Sequence, residues 1–403
     1  MGELAKSDLV IVGAGIIGLA TANYLRQQSP DVSITVIEKE AVPGVHQTGH
    51  NSGVIHAGIY YAPGSLKSKL CVKGAAATKA FCQTHDIPFD TCGKLIVATS
   101  DAELPAMATL EDRARSNGLD IQRIGQEALH EMEPDISGVG ALLSPASGIV
   151  NYGEICRVLR QTLEADGVAF QFNTNVIGLN ERDDALMVET EQGTLDAGLM
   201  IACAGLHADR IAALSGLAND FRIVPFRGEY FRVADTASAN VNHLIYPVPD
   251  PSLPFLGVHL TKMIGGYDTV GPNAMVSLGR ETYTANRPHL RDMATSARFG
   301  GFWKLMMRNL RPGLHELHGS LSKATYLKRC QKYCPSLTSD DLLPYPPGIR
   351  AQAVSADGRM IEDFMIRETP HTVHVCNAPS PAATSAFPIG EEIGARALAK
   401  LNQ

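Results

Sequence analysis

The sequence predicts a chain of mixed α/β and α+β class whose two units are interleaved. Three observations predict this. Residues 8–28 read as a buried strand, a glycine turn and a helix. From about residue 222 the texture changes to strands broken by Pro and Gly, as in "RIVPFRGEYFRVA" and "TVGPNAMVSL", the pattern of a large, mostly antiparallel sheet. From about residue 340 the chain returns to strand, loop and helix. At 403 residues it is longer than one core usually takes. The predicted division places residues 1–90, 145–220 and 340–403 in a nucleotide-binding unit, and 91–144 with 221–339 in a substrate-binding unit.

The first element justifies the nucleotide-binding reading. Leu9 to Val12 is a short apolar strand, followed by Gly13-Ala14-Gly15-Ile16-Ile17-Gly18 and an apolar helical pattern. The bare glycine spacing is a weak signal; its setting between strand and helix makes it a Rossmann-like dinucleotide fingerprint. Gly13 permits the turn, Gly15 lets backbone approach a pyrophosphate at the helix N-terminus, and Gly18 lets helix and strand pack closely. A second strand, "SITVIEKE", ends in Glu38, twenty residues after Gly18, where a carboxylate would accept bonds from ribose hydroxyls. The long polar loop that follows, "KEAVPGVHQTGHNSGVIHAGIYYAPGS", suits a tightly held, extended cofactor and favours FAD over NAD.

The remaining elements follow in order. Residues 65–85 read as helix, 93–100 as a strand, 102–118 as an amphipathic helix, and 148–167 as a helix beginning near Tyr152. The stretch to Gly205 reads as a strand, a hairpin and a buried strand from Leu199 to Ala204. Residues 285–335 read as helical, and a final helix runs from near Ser385 to Leu401. Its N-terminus, rising from "SPAATSA", would aim its positive end at the flavin pyrimidine.

Composition bounds the function. Net charge is −7, which argues against nucleic acid and against a tRNA-modifying partner protein, and requires a local basic pocket for any anionic substrate. The eight cysteines form no zinc pattern and read as thiols of a reducing compartment. No signal peptide and no bilayer-spanning run is visible, so the expectation is a cytoplasmic protein, or one peripheral on the inner face of the cell's inner membrane. "SARFGGFWKLMMRNLRPG" (296–313) carries four cations and no acid beside Trp303, two Phe and two Met; it reads either as a membrane-surface helix or as a helix packed on its own domain with a solvated basic face.

Several motifs together resemble the L-2-hydroxyglutarate dehydrogenases (oxidases), within the FAD enzymes that include D-amino-acid oxidase and glycine oxidase. They are "VIVGAGIIGLATA", "HQTGHNSGVIHAGIYY", "PFRGEYF", "IYPVPDPSLPFLGVHL", "RAQAVSADGR" and "NAPSPAATSAFPIG". The resemblance covers nearly the whole chain. It implies FAD-dependent oxidation of L-2-hydroxyglutarate to 2-oxoglutarate, with electrons passed to membrane quinone. The competing enzyme is an oxygen-using amino-acid or amine oxidase of the glycine-oxidase type.

An α-hydroxy acid gives up a hydride to flavin N5 and a hydroxyl proton to a base, and a dicarboxylate needs two anchors. His56 is the first candidate for the base, with His259 as alternative base or carboxylate ligand. Arg350 is the first candidate anchor. Tyr246, Arg227 and Lys262 are further substrate candidates. Cofactor contacts are expected at Gly13, Ala14, Gly15, Ile16, Ile17, Gly18, Glu38, Lys39, Thr48, Asn51, Ser52, Gly53, Val176, Ala204, Gly205, Asp357, Pro381, Ala382, Ala383, Thr384 and Ser385. No metal is expected. His46 and Cys376 lie near enough to be asked about as covalent flavin links.

Overall fold

The computed structural model describes residues 2–401 apart from 184, 238, 250–256, 285, 286, 311, 312, 314, 315, 317–319 and 321. The first strand, Gly2–Val12, lies at the centre of an eight-stranded sheet. Ile34–Ile37 and Gly193–Ala202 flank it in parallel, and Ala169–Gln171 extends the parallel set. Thr372–Asn377 also runs parallel to Gly193–Ala202, so the chain's last strand returns beside its first unit. Leu9, Val10, Ile11 and Val36 are fully buried, as parallel strands covered on both faces require.

Helices Ile16–Gln28 and Ala386–Leu401 pack together over this sheet. Leu19, Leu25, Ile389 and Ile393 share one core with Ile55, Ile155 and Leu159. The helix expected near Tyr152 is Tyr152–Ala165, capped by the Asn151 side chain on Gly153 and Glu154 N–H. Leu66–Thr84 and Leu104–Ser116 fulfil the other two helical expectations of the first half.

A nine-stranded sheet forms the second layer. Its long strand Phe221–Val233 pairs antiparallel with Leu342–Ser355 along its whole length, from Phe221 opposite Ser355 to Val233 opposite Leu342. Strands Tyr267–Gly271, His259–Met263 and Leu244–Pro247 continue the sheet. Leu244–Pro247 then runs parallel to Lys94–Ala98. A small third sheet, Val54–Ile55, Gly148–Val150 and Phe89–Asp90, lies where the glycine-rich segment leaves the first unit. Of the helical stretch 285–335, Leu290–Ala297, Gly300–Arg308 and Lys323–Cys330 are helices, while 285, 286, 311, 312, 314, 315, 317–319 and 321 lie outside the described residues. Part of the motif "IYPVPDPSLPFLGVHL" (250–256) also lies outside them.

Candidate active site

The glycine turn is held by contacts that only glycine allows. Gly13 has φ +107, and a Cβ there would stand 2.5 Å from Cys203 O. A Cβ on Gly18 would meet Gly13 O at 2.0 Å. The loop before His56 folds back onto this turn. Thr48 Oγ1 accepts from Ile16 N–H at 3.1 Å, and Gly44 N–H donates to Ala14 O at 3.1 Å. The Glu38 carboxylate accepts from Ala14 N–H at 2.8 Å. Asn51 shapes the loop, donating to Gln47 and Thr48 carbonyls and accepting from Gly53 N–H.

One cavity of about 1780 Å³ joins this turn to the second sheet. Its walls include Gly13, Gly15, Ile16, Ile17, Glu38, Lys39, Thr48, Asn51, Ser52, Val176, Ala204 and Gly205 at one part, and Pro381, Ala382, Ala383 and Thr384 from the loop before the last helix. His56, Tyr246, His259 and Arg350 line the same cavity. Thus residues far apart in sequence, on the loop at 44–56, the second sheet and the strand Leu342–Ser355, meet around one space.

Each histidine has a distinct setting. His56 N–H donates to Thr384 Oγ1 at 3.2 Å, which ties it to the loop of residues 379–384. Burial, then the nearby Lys94 and His259, hold its ring well below the usual histidine range. His259 Nδ1 lies 3.0 Å from Gly257 O, so Nδ1 carries the proton and Nε2 the lone pair. Burial pushes its ring down to about 3, so it is uncharged at neutral pH. Tyr246 stacks on it, and its phenol is raised by burial. Arg350 is half-buried beside Tyr230 and Tyr246, and desolvation lowers its guanidinium from the usual range.

Some expected residues lie elsewhere. Arg227 turns its guanidinium to Thr282 O and Glu229, outside the cavity. Lys262 pairs with Asp90 at 3.2 Å, also outside it. Asp357 is in an exposed turn, bonded to Ser355 and Arg359, because the strand ends at Ser355 before it can reach the cofactor side. Ala14, Gly18, Gly53 and Ser385 support the walls from behind without lining them. Sequence reasoning missed Lys94, Tyr60 and Tyr230. A lysine opening the apolar run "KLIVA" was the available signal for the first.

A family model described as FAD dependent oxidoreductase matches residues 8–396. The L-2-hydroxyglutarate dehydrogenase of Escherichia coli (strain K12) is 49% identical over 387 residues, covering 96% of this chain and 92% of that protein. The mitochondrial L-2-hydroxyglutarate dehydrogenase of Homo sapiens is 39% identical over 400 residues, covering 95% and 86%. The chain belongs to the FAD-dependent oxidoreductases. Among solved structures, the L-α-glycerophosphate oxidase of Mycoplasma pneumoniae with FAD bound superposes with a TM-score of 0.77 at 24% identity, covering 100% of this chain and 96% of that one. The glycine oxidase of Geobacillus kaustophilus gives 0.72 at 18%, covering 97% and 95%. At these identities both speak for the fold.

FAD is the cofactor of this oxidoreductase, and the residues present fit it. Glycines at 13 and 15 keep side chains off the turn, Gly15 as N-cap of the helix that begins at Ile16 places none of its own over the N-terminus, and the cavity continues from there to the second sheet. Lys39 is held by Glu40 and, at 2.7 Å, by Glu281. His46 bonds Glu40 at 2.9 Å, and His207 bonds Glu281 at 2.7 Å. Burial alone would raise the Glu281 carboxyl; the bonds from His207 and Lys39 hold it well below the carboxylate range. Cys376 lines the cavity as a buried thiol pushed up to about 11 by burial, a state that disfavours the thiolate.

Proposed function

We propose that this enzyme oxidises L-2-hydroxyglutarate to 2-oxoglutarate and passes the electrons to membrane quinone or another acceptor. The observation that carries the reading is the meeting of a half-buried arginine and two neutral histidines in the cavity that also reaches the glycine turn. Identity of 49% with a bacterial protein of that name supports the substrate.

Bound FAD supplies the acceptor for the hydride on the substrate's α-carbon. Arg350 holds one carboxylate by a paired, charge-assisted contact. His259 takes the hydroxyl proton at Nε2, since its bond to Gly257 O leaves a lone pair there. His56 then binds substrate as a donor. Position in the sequence favours His56 as the base; the fixed tautomer of His259 supports the reverse order. Lys39, Thr48, Asn51, Ser52 and the turn would hold the cofactor, together with residues 381–384. In this reading residues 1–90, 145–220 and 340–403 serve FAD, and 91–144 with 221–339 cover the substrate, the strand Leu342–Ser355 linking the two.

A second surface supports a membrane acceptor. Leu290, Met293, Trp303, Met307 and Leu310 are exposed large apolar residues on and after the helices Leu290–Ala297 and Gly300–Arg308. Arg291, Arg298, Lys304 and Arg308 are exposed among them, while the acid Asp292 is buried against Arg210. Such a face suits the headgroup region of an anionic bilayer and supports a peripheral seat on the inner membrane. No described helix is long and apolar enough to cross a membrane. Product analysis tests the reaction: one 2-oxoglutarate should form for each flavin reduced, and none from an amino acid.

A further inference from the structure

Lys94 opens the strand Lys94–Ala98, every residue of which is buried, and its own side chain is 1% exposed. Among the described residues no carboxylate pairs with it. Its Nζ lies 3.5 Å from His56 Nδ1, 4.1 Å from the centre of the Tyr246 ring and 5.5 Å from that of Tyr60. His56, Tyr60 and Tyr246 line the cavity; Lys94 does not. The ammonium therefore stands directly behind the cavity wall. The other ring nitrogen of His56, Nε2, has no protein partner among the described residues.

An ammonium only donates, so beside it His56 Nδ1 must accept and the neutral ring carries its proton on Nε2. This is the opposite tautomer from His259, whose Nδ1 donates to Gly257 O. One ring offers the cavity a donor and the other a lone pair. A carboxylate wants the first and a leaving hydroxyl proton the second.

We infer that Lys94 is a positioning residue: its ammonium holds His56 in the tautomer that offers Nε2–H to a substrate carboxylate, and so sets the affinity for an anionic 2-hydroxy acid. The inference rests on the substrate class proposed above. Burial brings the Lys94 ammonium down to about 8. The titratable groups facing it are His56 and Tyr60 from the loop before, Cys71 from the helix Leu66–Thr84, Cys92, and Tyr246 from the neighbouring strand; His259 also feels its charge. Burial holds the thiols and phenols neutral and both rings uncharged near that pH. The sign follows. Below about pH 8 Lys94 is charged and the donor tautomer persists. Above it the amine can accept from Nδ1, Nε2 turns a lone pair toward the carboxylate, and binding weakens.

The test is the Kd of 2-oxoglutarate for oxidised holoenzyme, read from the flavin spectrum against pH, in wild type and Lys94→Met. Wild type should be flat below about pH 7 and weaken by up to roughly tenfold per pH unit above about 8. Lys94→Met should bind about tenfold more weakly below that pH, lack the rise, and keep its saturating flavin-reduction rate within about threefold. Identical pH profiles, or a collapse of that rate at unchanged Kd, would overturn the inference. Methionine in place of a buried charge is a tolerated exchange, and FAD content reports whether the variant folds. The ¹⁵N-histidine spectrum of the wild-type holoenzyme decides independently, with the His56 signals assigned through His56→Gln. Nε2–H with an accepting Nδ1 below about pH 8 is expected; the other tautomer would sink the idea. That spectrum needs no substrate. If 2-oxoglutarate bound at no pH, the substrate reading would fail while the spectrum still judged Lys94.

Discussion

Tyr246 and His259 stack face to face, with ring centroids 3.8 Å apart and planes inclined by 22°. The stack and the bond from Nδ1 to Gly257 O lock the imidazole plane, so its Nε2 is aimed rather than free to turn. His259→Gln should therefore retain FAD and lose about 10² to 10⁴ in flavin-reduction rate. His56→Ala should mainly raise the substrate Kd. Rapid mixing across substrate concentrations separates the two; a rate loss confined to the His56 variant would reverse the assignment.

Arg350 sits opposite Phe226 in the long antiparallel ladder and reaches the cavity from a strand paired along its whole length. That rigidity favours a paired contact with a carboxylate. Arg350→Lys keeps the charge but loses the fork, so 2-oxoglutarate binding should weaken by about 1.5–3 kcal/mol, roughly 10- to 150-fold. Titration of the flavin spectrum measures it. A monocarboxylate should lose a similar factor if this is the carboxylate beside the hydroxyl.

Glu281 carries a pH signature. Its folded carboxyl titrates below the ordinary value of 4.5, held there against burial by His207 and Lys39. A depressed carboxyl contributes stability that is complete above the unfolded value and disappears as pH falls through the folded one. Glu281→Gln should thus lower Tm near neutral pH, with the difference shrinking below about pH 4.5. Equal Tm differences at both pH values would contradict the pairing.

The fingerprint, the helix at Tyr152–Ala165 and the last helix were legible because their signals are local: strand, turn and cap lie within a few residues. The second sheet was legible as a large, mostly antiparallel one, but not which of its side chains face the cavity, because pairing decides which face a side chain takes. His259 lies on the cavity and Lys262, three residues on, points to the opposite face as alternation requires. Gly228 and Tyr230, two residues apart on their strand, line the cavity, while Arg227 takes the opposite face as alternation requires. Lys94 was overlooked since lysine is seldom fully buried. Asp357 was misplaced because a short motif gives no hint of where its strand stops.

The exposed Trp303 and Met307 give the membrane reading a direct check. Wild type should co-sediment with vesicles containing anionic lipid, less so at high salt, and the double variant Trp303→Ser, Met307→Ser should lose most of that binding with flavin reduction unchanged. Equal sedimentation of both proteins would remove this face from the acceptor argument.

The central claim is the substrate, and one anaerobic experiment addresses it. The yellow holoenzyme is mixed with L-2-hydroxyglutarate, its D-enantiomer or glycine while the flavin absorbance is followed. Bleaching by the L-hydroxy acid alone is the expected result. Bleaching by glycine, or by neither hydroxy acid, would contradict the account and return the site to the amine-oxidase reading or to an unassigned substrate.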